Sequence, residues 1–364
     1  MAGEKAKAYN GIFRDLMAVI VLGVLTFALV WLGKTNPDFI SDTYLPFSRT
    51  AENILSKITG IVPFSVVEII IYLIAIGLLF SLIRLIFRLI TGPRRIYSLI
   101  KFVTGWAVTA AGLIFLFYAL WGLNYYAPPL ADRMGLDVKA RSSQELYELC
   151  TYLADNANEL AVQVERDENG QIPEIDFTET AKQVAVDFST VTGRSETRAK
   201  YIIASEPFSY TQITGVFVYL TGESNVNKNN TSAALPFTMA HEMSHRYGIA
   251  PEDEANFFAF YTTHQSDDPL VQYSSYMMAL MYCQNKLYAS NKTLYQELRA
   301  TYCEELAADF SQYGEHWAQY EGEVAEKATT VNNTYLQAQG QEDGVKSYGR
   351  MVDLMLAWYE TVKN

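Results

Sequence analysis

The sequence predicts a protein of the membrane α plus α+β class: three transmembrane helices followed by a mostly helical extracellular domain with a small sheet. Three observations carry that expectation. Three very apolar stretches crowd into the first 126 residues of a 364-residue chain that is half hydrophobic and only 19% charged. Charge divides along the same line, with 11 Lys/Arg against 6 Asp/Glu in residues 1–122 and 17 against 34 in the remainder, for a net charge of −12. The three cysteines and the hydrophobic content exclude a disulfide scaffold and a disordered chain.

The predicted membrane domain covers residues 1–126, with spans at about 15–33, 62–86 and 101–123. Leu16 to Gly33 and Phe102 to Leu123 carry no charge, and Ile69 to Ile83 is uncharged and extends past Glu68 into Ile61-Val62-Pro63-Phe64. Each can cross a ~30 Å hydrocarbon core at ~1.5 Å per residue. Lys5, Lys7 and Arg14 precede the first span as in a signal peptide, but the apolar run is long and Trp31-Leu32-Gly33-Lys34 offers no small-residue cleavage site, so it reads as an anchor. Basic residues set the orientation. Arg84, Arg88, Arg94, Arg95 and Lys101 occupy the second link without an acid, which makes that link cytoplasmic, the N-terminus internal and everything after Tyr126 external. Glu68, near the outer end of its span, is expected to snorkel to water.

Residues 127–364 form the predicted external domain. Ala127-Pro128-Pro129 ends the third span. Ser142 caps a helix to about Val164, and Thr178 to Thr190 gives a second. Ile213 to Leu220, rich in β-branched and aromatic residues, is the clearest strand, and the polar run Asn225 to Thr231 reads as a loop. Helical segments follow near 236–247, 251–263, 268–289, 293–312, 314–338 and 345–361. An acidic domain of this kind is a poor nucleic-acid binder. Of Cys150, Cys283 and Cys303, at most one pair can close within the chain.

Two of the four histidines fall in His241-Glu242-Met243-Ser244-His245. On a helix, positions i and i+4 share a face, so both imidazoles can reach one metal ion while Glu242 approaches a water bound to it. Pro236 suits the first helical turn and Gly248 the C-terminal cap. A catalytic zinc needs a third protein ligand and an open position. Glu252 or Glu254, one short turn beyond the motif, can supply it, whereas acids at a helix start serve equally as caps, the reading that suits Asp253. His264 and His316, alone in helical segments, read as structural.

Glu252-x-x-Ala255-Asn256 resembles the second motif of gluzincins, the glutamate-ligand zinc metallopeptidases. That resemblance implies Glu252 as third ligand, with Glu254 the alternative, and Asn256 behind a histidine as its orienting partner. Four further runs are Thr221-Gly222-Glu223-Ser224-Asn225-Val226-Asn227, Leu235 to Glu242, Glu252 to Phe257, and Ser347-Tyr348-Gly349-Arg350. Together they resemble a bacterial membrane family, domain-of-unknown-function family 3810, from the second span to the C-terminus. The resemblance implies a zincin-like external domain and makes Tyr348 and Arg350 candidates to stabilise an oxyanion. One departure stands out: only six residues separate His245 from Glu252, far fewer than in thermolysin-like enzymes, which leaves Glu252 and Glu254 open.

The expected function is a membrane-anchored zinc metallopeptidase that hydrolyses peptide bonds outside the cytoplasmic membrane, on a peptide or protein of the cell envelope. Zn2+ would be held by His241, His245 and Glu252, with Glu242 as general base and Ile213 to Leu220 as an edge for an extended substrate. The rival is a non-enzymatic membrane sensor with a zinc-containing external domain.

Overall fold

The structure, a computed structural model, describes residues 2–339, 341 and 348–363, and among them the side chains of 10–339, 341 and 350–363. It divides into two compact units: Met1–Ala51 with Val66–Ala127, and Glu52–Ser65 with Pro128–Asn364. The link between the first two spans, assigned from sequence to the membrane part, therefore contributes its second half to the C-terminal unit.

The first unit is helical. It contains α1 (Ala2–Thr35), the first half of α2 (Leu45–Thr59), α3 (Val66–Thr91) and α4 (Arg95–Leu120). Asn10–Thr35, Val66–Thr91 and Arg95–Leu120 are long and apolar enough to cross a membrane, and only 6% of each apolar window is buried within the protein. Side chains such as Leu73, Ile76 and Leu79 stand exposed along α3, as a lipid-facing helix requires. α1 lies along α4, where Lys101 pairs with Asp15 and the Thr104 hydroxyl donates to the same carboxylate at 2.8 Å. One charge on each of these two helices is thus matched by the other. The second span begins at Val66 rather than near 62, because Pro63 has no amide to give a helix and the Ser65 N–H goes to the Tyr201 carbonyl at 3.0 Å. Glu68 does not reach for water: it is buried and accepts a hydrogen bond from the Tyr72 hydroxyl.

In the second unit, α5 (Ser143–Ala161) opens with a reciprocal cap between Ser142 and Glu145, and α6 (Phe177–Thr192) with the Asp176 carboxylate. Three short strands follow, β1 (Lys200–Tyr201), β2 (Gly215–Val218) and β3 (Glu223–Val226). Then come α7 (Leu235–Arg246), α8 (Glu252–Thr263), α9 (Pro269–Ser290), α10 (Lys292–Arg299), α11 (Glu304–Ala318), α12 (Glu323–Ala338) and α13 (Tyr348–Val362). α9 packs along α5 and α13 closes over α8 and α9, burying Leu149, Leu153, Met277, Leu280 and Met355. The late helices break at 300–303 and 319–322 instead of at 313. Cys303 caps α11 by accepting the Leu306 N–H, and Gly322, at φ 146°, opens α12 in a backbone region that favours glycine. Residues 345–347 of the last expected helix lie outside the described residues. All three cysteines are free thiols.

The sheet order is β1-β3-β2, with β1 parallel and β2 antiparallel to β3, and Gly215 faces Val226 in register. β3 falls inside a stretch read from sequence as partly loop. Its four residues are fully covered although three are polar: Glu223 pairs with Lys200, the Ser224 hydroxyl donates to the Glu242 carbonyl at 2.9 Å, and Asn225 donates to the Glu223 carbonyl at 3.1 Å. Phe64 bridges to Tyr201 outside β1, so among the described residues β2 keeps the open edge. It is also shorter than the expected Ile213 to Leu220.

Candidate metal centre

α7 carries the His-Glu-x-x-His motif, and of its twelve residues all but His241 are buried. Pro236 opens the helix where no amide is needed, and Thr238 and Ser244 return their hydroxyls to the carbonyls of Ala234 and Ala240. Its end is fixed by Gly248 at φ 86°, where the Gly248 N–H bonds to the His245 carbonyl and the Ile249 N–H to the Ser244 carbonyl. This turn has a chemical consequence. It presents the Ile249 carbonyl to His245 Nδ1 at 2.8 Å, so that Nδ1 donates and the lone pair of the neutral ring falls on Nε2.

Pro251 then starts α8, whose first turn is Glu252-Asp253-Glu254. Glu252 Oε2 lies 3.2 Å from His241 Nε2 and 3.6 Å from His245 Nε2, and the two Nε2 atoms are 3.1 Å apart. Ligands ~2.0–2.1 Å from a tetrahedral zinc are separated by ~3.4 Å, so this triangle has the dimensions of three ligand corners. The donor set, two imidazoles and a carboxylate, fits the same ion, which would take the place of an imidazole proton. Burial opposes charge on His245, but Glu252 and Glu242 outweigh it and lift its pKa to about 9. Burial likewise opposes charge on Glu252, yet the two histidines hold it well below the carboxylate range. The three groups attract one another as a metal site does before metal is added.

Glu242 sits beside this triangle and against β2. A Cβ at position 215 would lie 2.5 Å from its Oε1 and 2.7 Å from its Cγ, so only glycine leaves room for the carboxylate there. The Phe217 N–H donates to it, and Oε2 is buried without a hydrogen-bond partner. Burial raises its pKa to about 7, against the pull of His241 and His245. A carboxyl poised near neutrality beside three ligand atoms can accept a proton from a water molecule and release it again.

The remaining candidates are placed differently. Glu254 turns to the short helix Leu130–Met134, accepting the Leu130 N–H at 2.8 Å and pairing with Arg133 at 3.4 Å, and takes no part in the triangle. Asn256 is buried, but His241 Nδ1 is left without a hydrogen-bond partner and His245 Nδ1 uses Ile249, so neither histidine is oriented by the asparagine. The Tyr348 side chain lies outside those described. Arg350 is exposed, and its charge acts on the buried Asp253, next to Glu252. His264 stacks on Phe260 with ring centres 4.9 Å apart, and His316 Nε2 meets the Asn229 carbonyl at 2.7 Å.

Two backbone groups, a glycine and an arginine at the centre have no counterpart in the sequence reading. The Ile249 carbonyl and the Phe217 amide are backbone groups, without a residue signature. Gly215 was visible as a glycine within a strand, the signal for close approach of another group. Arg246 is fully buried directly after His245; it pairs with Glu196 at 3.3 Å, donates to the Thr197 carbonyl at 2.6 Å, and lies near the buried Glu52 of α2.

No curated protein and no solved structure matches the chain. A family model described as "Protein of unknown function (DUF3810)" matches residues 46–356, which takes in nearly all of α2, the sheet, α7, α8 and most of α13. The chain belongs to that family.

Proposed function

We propose that the protein is a membrane-anchored, gluzincin-like zinc metallopeptidase that acts on an extended peptide or protein segment outside the cytoplasmic membrane. The observation that carries this reading is the triangle His241, His245 and Glu252 with the buried Glu242 between it and the open edge of β2. His241, His245 and Glu252 would hold zinc, which when bound polarises a carbonyl and acidifies water. Glu242 takes a proton from the attacking water and returns it to the leaving amine. The Ile249 carbonyl keeps His245 in the tautomer that binds through Nε2, and Gly215 keeps Glu242 within reach. A substrate strand would pair with β2 through backbone hydrogen bonds, and Arg350, near Asp253, is the candidate for the developing oxyanion.

The first test is the zinc content of the full-length chain in detergent, beside its His241→Ala variant, together with hydrolysis of a peptide library. About one zinc per chain, lost in the variant, with cleavage sensitive to chelators, supports the proposal. A folded chain that takes up no supplied zinc overturns it.

A further inference from the structure

A groove of ≈1010 Å³ opens on the C-terminal unit between the end of α2, one side of α6 and residues 193–198. Lys57, Lys182, Arg194 and Arg198 line it, in a part of the chain where acids outnumber bases two to one. Glu196, the one carboxylate on its wall, is turned onto Arg246. Lys200 also reaches the wall, but its ammonium is held by Glu223 and the Thr59 carbonyl. Lys182 pairs with Glu179 on the exposed face of α6, a contact that barely reduces its charge toward solvent. The groove is therefore a positive surface, and its occupant an anion.

A second observation narrows the anion. The end of α2 is inside out: Glu52, Asn53 and Ser56 are buried, whereas Ile54, Ile58 and the following Ile61 are 54%, 62% and 84% exposed. Ile54 and Ile58, four apart, share one helical face, and Ile61 itself lines the groove, so an apolar ridge adjoins the cationic wall. Five residues after Ile61 the chain enters the second apolar helix at Val66. Apolar side chains beside cations, on chain leading into a span, match the boundary between acyl chains and headgroups.

We propose that this groove binds the phosphate of an anionic phospholipid, with Ile54, Ile58 and Ile61 against the start of its acyl chains. The proposal rests on the chain being a membrane protein and is independent of the metal centre.

The test uses the full-length chain in detergent micelles, titrated with phosphatidylglycerol, phosphatidylcholine, glycerol phosphate and inorganic phosphate, with bound lipid counted by native mass spectrometry. Lipid held along the spans is common to all variants, so the difference between variants isolates the groove. Lys57→Gln/Arg194→Gln/Arg198→Gln is expected to weaken phosphatidylglycerol retention about tenfold, leaving phosphatidylcholine, melting temperature and metal content as in the wild type. Should that variant fail to fold, Arg198→Gln alone is expected to give about a threefold loss. Ile54→Asn/Ile58→Asn, with the cations intact, should weaken phosphatidylglycerol as well. Unchanged phosphatidylglycerol binding in the charge variants overturns the proposal. Glycerol phosphate or inorganic phosphate binding as tightly as the lipid, and insensitive to the isoleucine changes, also overturns it and makes the groove a site for soluble phosphates.

Discussion

α3 and α7 invert the usual relation between polarity and burial in opposite directions. α3 is almost wholly apolar, yet Leu73, Ile76 and Leu79 are more than half exposed; α7 holds Glu242, Ser244, His245 and Arg246 inside the protein. An apolar helix with no apolar cover needs a solvent that is itself apolar. Polar residues inside a helix need partners, and Glu242 Oε2, buried without one, is the atom that the proposed reading gives to a water molecule. The first inversion reports the environment and the second the chemistry. Each can be broken by substitution.

The largest expected effect is at the centre of α7. On the proposed reading, Glu242→Gln removes the proton acceptor while leaving the three ligands, so hydrolysis should fall by about 10²–10⁴-fold, or ~3–5 kcal/mol, with zinc content unchanged. Zinc lost together with activity would instead make Glu242 a structural group. Close behind comes Arg246→Ala, which strands the buried Glu196 carboxylate; removing one partner of a buried pair costs about 3–5 kcal/mol. A drop in unfolding free energy of that size is expected by denaturant titration of the full-length chain. A change within ~0.5 kcal/mol would mean that water reaches the pair freely.

For α3 the decisive substitution is Leu79→Asp, at a position 59% exposed. In water such a change is worth within about ±0.5 kcal/mol, whereas at the middle of a membrane span it costs roughly 2.5–3.5 kcal/mol of insertion free energy. A glycosylation-reporter insertion assay separates the two, and a neutral outcome would remove the contrast drawn here. Gly215→Ala should act on the centre from outside α7. Its methyl group would displace the Glu242 carboxylate, so activity is expected to fall about ten- to a hundredfold, ~1.4–2.7 kcal/mol, with zinc retained. Wild-type activity in this variant would show that Glu242 reaches the reacting water from another position.

The two helices also differ in how far they could be read. The spans stood out because hydropathy integrates over twenty residues, and the helix starts at Ser142 and Pro236 because caps have side-chain signatures. The grouping of His241 and His245 follows from helical period alone. β3 was hidden because Glu223-Ser224-Asn225 has neither alternation nor apolar residues; it is a strand through its tertiary neighbours, Lys200 and the Glu242 carbonyl. Ile249 was hidden because its carbonyl, not its side chain, meets His245. The membership of Glu52–Ser65 in the C-terminal unit was hidden for a similar reason: its ties are Asn53 to the Ser195 carbonyl, Thr59 to the Thr221 carbonyl and a close approach of α2 to Gly222, none of which sequence spacing records.

The same segment carries an effect that depends on pH. Glu52 is fully buried, neither carboxylate oxygen has a hydrogen-bond partner, and burial pushes its pKa up to about 9 although Arg246 pulls the other way. A carboxyl with a folded pKa near 9 and an unfolded value near 4.5 stays protonated in the native chain while the unfolded chain loses its proton. Below pH 4.5 both states are protonated and Glu52 has no effect; as pH rises from there toward 9 the unfolded state is favoured progressively. Glu52→Gln mimics the protonated form and removes that slope. The variant should match the wild type in melting temperature near pH 4.5 and exceed it by a few degrees near pH 8, in scans of the full-length chain. Equal melting temperatures at both pH values would mean that Glu52 is ionised in the fold and compensated by Arg246, turning the end of α2 into one more paired charge beside α7.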